Sequence, residues 1–477
     1  MFCIKKFNSI TYFLLLLFVL LGGTSCNKNL LDIQPTTEKS LVFTNEAQVR
    51  QGVEGAYGML QRSGLYGANL MVFGEIPSEN TYSEVPANDG GVYGQLDLFT
   101  TLANNNLIEG TWRDAYACIQ QTNVILNRLD GIEMATENRN TYRGEMLFIR
   151  ALCYFNLVRI YGDVPLNIQE TTDVNEYFGQ GRTPKADVYT QIEQDLAEAA
   201  ALLPVEQNPA GKATLGAAWA LLGQVYLTLK NYQEAITVLN KVTALNYRLL
   251  TDINAIFDPA NKNNAEIIFD IQFASGINGN TLGSPAFQLF SPSGSVGGAK
   301  GHNLPIRPFY DSYADGDLRK NAYVGLTAAG VPYTKKLVQT SAVIEDGGSN
   351  IVVLRYADVL LMLAECHEEL GGTDNLQLAM HYLNLVRSRA GLNELISLDQ
   401  SSLRLVIAQE RRWELISEGY RWFDLVRTEQ AIPVMNAYFT ATPGLQNIRI
   451  DEHNLVQPVP QSQINTDPES IIQNPGY

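Results

Sequence analysis

The sequence predicts a mostly α-helical protein, a tetratricopeptide-like helical repeat scaffold carrying a loop-rich, irregular region. Three observations carry that prediction. Apolar residues recur at three- and four-residue spacing through most of the chain after Thr44. In "WALLGQVYLTLKNYQEAITVLN", Trp219, Leu222, Gly223 and Tyr226 have the spacing W-x2-L-G-x2-Y, and Ala235 follows nine residues later. That is the signature of a tetratricopeptide repeat, whose small residues let two antiparallel helices approach while the large ones fill the groove between them. From about residue 246 to 352 the helical period fades, and Gly, Ser, Pro, Asn and aromatic residues accumulate.

The elements follow in order. Lys5 and Lys6 precede an apolar run from Ile10 to Leu21, and Gly22, Gly23, Thr24 and Ser25 come next. This is the order of a secretory signal, and the run is too short to cross about 30 Å of hydrocarbon, which takes about 20 residues. Cys26 directly after the small residues resembles the bacterial lipoprotein signal, with Gly23 where the pattern prefers Leu. The expectation is a signal over 1–25 and acylation of Cys26, which holds a protein on a membrane without a spanning helix. An ordinary cleavage site beside a chance cysteine is the alternative.

A first helix is expected after Thr44 and Asn45 as caps, with Val49, Val53, Ala56, Tyr57 and Leu60 on its apolar face. A first loop region is read over 73–106. Helices resume in "TWRDAYACIQQTNVILNRLD" and in "TYRGEMLFIRALCYFNLVRIYGDVP", which Gly162 and Pro165 stop. The next is read as starting with Thr183 as cap and Pro184 at the first helical position. The repeat at Trp219 completes an N-terminal helical part over 26–245. The irregular insert over 246–352 holds one clear strand, "AEIIFDIQF". In the C-terminal helical part over 353–477, "VLLMLAECHEELGGTDNLQLAMHYLNLVRSRAG" is a second, degenerate repeat, with Leu360, Leu363, Ala364 and His367 in the signature slots and Ala379 three residues late.

Composition narrows the function. The formal charge is −16, and loss of Lys5 and Lys6 with the signal makes it −18. Such a surface repels phosphate backbones, so nucleic acid is excluded as a partner. Cys118, Cys153 and Cys366 lie in helical text at wide spacing and read as small buried hydrophobes. A search for catalytic patterns finds no G-x-S-x-G, no P-loop and no H-E-x-x-H, and no cofactor or metal is expected. "DSYADGDLRK" has Asp311, Asp315 and Gly316 of a calcium loop but Tyr313 and Ala322 at positions that should be acidic. Glu410, Glu414 and Glu418 recur at i, i+4, i+8 with Arg411, Arg412, Arg421 and Arg427 nearby. Carboxylates on one helical face do not straddle a sugar from opposing walls as a glycosidase pair must, so an ion-pair network is expected instead.

What remains is aromatic, amide-rich loop text. Glu79, Asn80, Tyr82, Tyr93 and Phe99 mark the first region, and Arg307, Tyr310, Tyr313 and Tyr333 the second. An aromatic face stacks on the apolar face of a sugar ring while amides, carboxylates and guanidinium meet its hydroxyls; the same composition suits a peptide or plain loop packing.

Five stretches, "GEMLFIRALCYFNLVRIYGDVPL", "LRYADVLLMLAECHEEL", "LNLVRSRAGL", "QERRWELISEGYRWFDLVR" and the closing "QNPGY", closely resemble the SusD/RagB family, in order, over essentially the whole chain after Cys26. The resemblance implies about four tetratricopeptide-like helix pairs and a variable, loop-rich ligand region. It implies an outer-membrane lipoprotein facing the cell exterior that binds oligosaccharides without cleaving them. It further implies a SusC-like TonB-dependent transporter as the partner that receives them. A peptide-binding, RagB-like role and a scaffold that only docks on the transporter are the alternatives. "NKNLLDIQP" after Cys26 lacks the acidic cluster that would signal export to the outer face, so the outward orientation rests on the resemblance.

Overall fold

The computed structural model describes residues 43–173, 178–206, 209–277 and 282–477. The signal and Cys26 lie outside the described residues. Eight helices form four antiparallel pairs: α1 (Glu46–Leu60) with α2 (Asn106–Arg128), α3 (Thr136–Tyr161) with α4 (Lys185–Leu202), α5 (Leu215–Thr228) with α6 (Tyr232–Thr243), and α7 (Tyr356–Leu370) with α8 (Thr373–Arg389). Successive pairs pack through α2 and α3, α4 and α5, and α6 and α7, so each covers an apolar face its neighbour leaves bare. Helices α9 (Gln400–Glu414), α10 (Arg421–Arg427) and α11 (Ala431–Ala441) follow, α9 against α7 and α8.

The repeat chemistry is visible in α5 and α6. A Cβ on Gly223 would stand 2.3 Å from Leu239 Cδ2, so glycine lets the two helices approach without displacing that side chain. Ala235 is fully buried on the facing helix. In the degenerate pair, Leu360, Leu363 and Ala364 are equally buried, and His367 bonds Asn375 at 2.9 Å across the turn. Asn45 caps α1 by accepting from the Gln48 N–H at 3.1 Å. Helix α4 starts one turn position later than the sequence predicts: Pro184, with ψ 138, is its extended cap residue, and Thr183 pairs its backbone with Val164. Cys118, Cys153 and Cys366 are buried free thiols.

The 73–106 stretch is more ordered than loop text implies. It contains the end of a short helix (Asn69–Glu75), β1 (Thr81–Tyr82) and a second short helix (Val92–Asp97). Phe73, Glu75, Ser78, Glu79, Asn80 and Thr81 are all buried. Arg412 donates to Asn80, Arg421 to Glu79 and the Gly419 backbone N–H to Glu75, all from more than 300 positions away, which local sequence cannot reveal. The insert contributes β2 (Ile267–Ile271), β3 (Leu304–Pro305), β4 (Val324–Leu326) and β5 (Pro332–Thr334), and β6 (Ile351–Arg355) runs across its expected boundary straight into α7. All three ladders are antiparallel: β1 with β3, β2 with β6, and β4 with β5.

Candidate functional site

The β1–β3 ladder brings the two aromatic regions together, pairing Thr81 with Pro305 and Tyr82 with Leu304. Beside it, the Glu84 N–H donates to the Gly301 carbonyl at 2.8 Å, and the Glu84 carboxylate accepts from the Ser293 N–H at 2.7 Å. His302 lies wholly buried in this seam, its ring stacked on Tyr93 at 3.7 Å. Its Nε2 meets Asp89 at 2.9 Å and its Nδ1 meets the Ser83 hydroxyl at 3.1 Å. Burial lowers the imidazole pKa, so the neutral ring donates from Nε2 and accepts at Nδ1. The hydrogen bond from Lys300, then that from His302, holds Asp89 below the usual carboxylate range. Asp89 occupies this position with φ +53°, a strained left-handed conformation stabilised by those two contacts.

Three half-buried tyrosines, Tyr82, Tyr310 and Tyr438, rest on one apolar cluster that includes Ile253, Ile306, Phe309 and Tyr313. Burial raises the phenol pKa values of both Tyr82 and Tyr438; the charge of Glu84 and then that of Asp97, the last residue of the Val92–Asp97 helix, adds to this at Tyr82, and the charge of Asp97 at Tyr438. The Asp97 carboxylate accepts from the Ser83 N–H at 3.1 Å and pairs with no cation among the described residues. Burial pushes its pKa up to about 7. A carboxylate with spare acceptor capacity next to half-buried tyrosines is suited to the hydroxyl groups of a ring that stacks.

The other residues named from sequence are engaged with partners within the protein. Burial opposes ionisation of Glu79, but Arg421 and then Arg412 keep its pKa below the usual value, and Asn80 accepts from Arg412. Phe99 packs against Trp422 and Phe439. Tyr313 is buried, stacks on Trp413 and donates its hydroxyl to the Trp413 carbonyl at 3.0 Å. Tyr310 lies under Lys320 at 4.9 Å, and Arg307 pairs with Asp311 at 2.8 Å. Tyr333 lies across the β4–β5 hairpin against Gly325. Asp97 and Tyr438 escaped the sequence reading: one ends a short helix inside supposed loop text, and the other looks like an ordinary core position of α11.

The carboxylates Glu410, Glu414 and Glu418 form the expected ion-pair network. Helix α9 ends at Glu414, yet Glu418 still reaches the same guanidinium. Arg319 pairs with Glu410 at 2.7 Å and Glu414 at 3.0 Å, and Arg355 with Glu414 and with Glu418 at 2.7 Å each, the arginines fully enclosed. Against the opposing effect of burial, Arg389, Arg355 and Arg319 hold Glu414 well below the usual range. Among the described residues, no group of three or more His, Cys, Asp or Glu side chains is placed to hold a metal, and no helix is long and apolar enough to cross a membrane.

Comparison with known proteins agrees with this architecture. The family model described as the SusD family matches residues 319–477, and one described as starch-binding associating with outer membrane matches residues 31–227. SusD-like protein P25 of Formosa agariphila is 28% identical, over 91% of this chain and 93% of its own. A laminarin binding SusD-like protein of solved structure is 26% identical with a TM-score of 0.78, covering 91% of this chain and 100% of its own. A SusD superfamily protein from Parabacteroides distasonis is also 26% identical, with a TM-score of 0.80 over 91% of this chain and 100% of its own.

Proposed function

We propose, from the premise that this chain belongs to the SusD/RagB family, that it is a cell-surface lipoprotein that binds oligosaccharide and delivers it to a SusC-like TonB-dependent transporter. The observation that carries the reading is a pair of half-buried tyrosines, Tyr82 and Tyr438, on one apolar cluster, with the Asp97 carboxylate, unpaired among the described residues, bound to the backbone N–H of Ser83 next to Tyr82. The tyrosines supply stacking area, and Asp97 accepts from ring hydroxyls. Binding proceeds without chemistry: Glu410 and Glu414, the carboxylates that invite comparison with a glycosidase pair, are enclosed by arginines with no approach for a substrate. Acylated Cys26 anchors the protein in the outer membrane, facing outward.

Because a relative at 26% identity is named for binding laminarin, that glucan is the first probe. The test is calorimetric titration against a panel of neutral and anionic polysaccharides and mixed peptides. Saturable binding of a glycan, weakened about tenfold by Tyr82→Ala, supports the reading; a loss of 1–2 kcal/mol is typical of a contact residue of this kind. Peptide binding with no glycan response moves the protein to the peptide-binding alternative.

A further inference from the structure

A pocket of about 370 Å³ lies apart from the tyrosine surface. Trp112 and Tyr116, one turn apart on the same face of α2, form its floor. Trp112 is only 3% exposed, and the Tyr116 hydroxyl donates to the Pro165 carbonyl at 2.6 Å, so both rings are fixed. Phe178, 51% exposed, forms one lip. The opposite wall is the C-terminal segment carrying Gln463, Asp467 and Ile471. The Gly179 N–H donates to Asp467 at 2.7 Å and ties lip to wall.

The chemistry of the lining selects an uncharged, hydroxyl-bearing ligand. Arg113 at the rim turns its Nε to Asp114 at 3.1 Å, and the Asp467 carboxylate lines the same pocket, so the described lining carries no net positive charge for an anion. The Gln463 amide, a donor and an acceptor, has no hydrogen-bond partner among the described residues, and Asp467 keeps acceptor capacity beyond its bond to Gly179. An aromatic floor under an amide and carboxylate rim is the arrangement that accepts a sugar ring. The volume is at the small end of the range for ligand pockets, about 300–1,000 Å³, and so fits a short segment of a chain.

The wall of this pocket is also tied to the tyrosine surface. The Gln461 N–H donates to the Ala103 carbonyl at 2.9 Å, and Asn105 donates to the Val92 carbonyl at 3.0 Å at the start of the short helix that ends in Asp97. We propose that the Trp112–Tyr116–Phe178 pocket is a second carbohydrate subsite, taking a short uncharged stretch of the same polysaccharide held at Tyr82, Asp97 and Tyr438. The inference rests on the glycan-binding reading and adds bivalency to it. A long chain engaging both sites gains avidity over either alone, by as much as 10²–10⁴-fold where the geometry permits, and a short oligosaccharide fills them independently.

The experiment compares the full mature protein, the pocket variant Phe178→Ala/Gln463→Ala and the surface variant Tyr82→Ala. All three are titrated with laminarin and with its trisaccharide. Phe178 and Gln463 reach solvent and neither is buried core, so the pocket variant folds; circular dichroism and melting temperature check this. The expected result is that the pocket variant binds laminarin at least tenfold more weakly, while trisaccharide stoichiometry falls from two to one with the remaining site unchanged. A pocket variant that matches wild type on both ligands, with one trisaccharide per wild-type chain, overturns the second subsite and leaves the glycan-binding function standing. A wild type that binds no glycan overturns the function and the subsite together. Capture of a peptide at this pocket, lost on Phe178→Ala, also overturns the carbohydrate assignment.

Discussion

Asp97→Asn separates the functional role of this carboxylate from its effect on stability. The substitution keeps the side-chain shape and the acceptor for the Ser83 N–H, and it removes a charge that no cation compensates. Burial raises the Asp97 pKa from 3.8 to about 7, and three pKa units correspond to about 4 kcal/mol, an upper value because the side chain keeps some contact with water. The sign follows from proton linkage. Between the unfolded pKa near 4 and the folded value near 7, the folded chain holds a proton that the unfolded chain has released, so stability falls as pH rises. Below the unfolded value that stability is fully present; above pH 7 the loss is complete. Urea unfolding of wild type and variant at pH 4, 6 and 8 measures it. The variant should gain on wild type by as much as about 4 kcal/mol between pH 4 and pH 8, while its affinity for glycan at pH 8 drops about tenfold. Glu75, pushed by burial to about 8, and Asp270, pushed to about 6, titrate in both proteins and cancel in the difference if they act independently. A wild-type-minus-variant difference that stays flat with pH would refute the claim that Asp97 is a buried, uncompensated charge.

Four further outcomes are expected. Glu414→Gln should destabilise by about 3–5 kcal/mol, because it strips a shared counter-charge from the enclosed Arg319, Arg355 and Arg389, and neither it nor wild type should release sugar in a reducing-end assay. Gly74→Ala should cost more in thermal unfolding than Gly223→Ala: the new Cβ would meet the backbone carbonyl of Gly419 at 1.9 Å, whereas at Gly223 it meets the movable Leu239 side chain. Tyr438→Ala should weaken glycan binding about tenfold, measured by the same calorimetry, and spare the cluster beneath it most of its stability. Cys26→Ala should move the protein from the membrane pellet to the soluble fraction on ultracentrifugation of lysed cells, and retention in the pellet would count against the anchor.

The helix pairs were legible because their signal is local. The spacing from Trp219 to Ala235 encodes which residues meet across a short turn, and Gly223 against Leu239 is that encoding realised. The two loop regions were legible, and β1 and β3 join them; which of their residues stay near the surface was not. Tyr82 lies in the surface that the two regions build, yet Glu79, Asn80, Tyr93 and Phe99, from the same stretch of text, turn inward to arginines, to His302 and to aromatic rings. A tyrosine or an amide has the same letter whether its polar end meets solvent or a partner hundreds of residues away.

Sequence by itself therefore determined the class of scaffold, the acidic composition, the ion-pair role of the Glu410 helix and the resemblance to a family whose motifs it carries. Each of these depends on composition or on neighbours within a few turns. Only the tertiary structure decided that β1 and β3 bring residues 81–82 and 304–305 together, that Asp97 binds the Ser83 N–H with no cation paired to it among the described residues, and that an aromatic pocket forms where α2 meets the C-terminal segment. The physical reason is that a recognition surface is made of what the core leaves partly exposed. That remainder is set by long-range packing and by which buried charges find partners, and neither quantity is written in any local stretch of the chain.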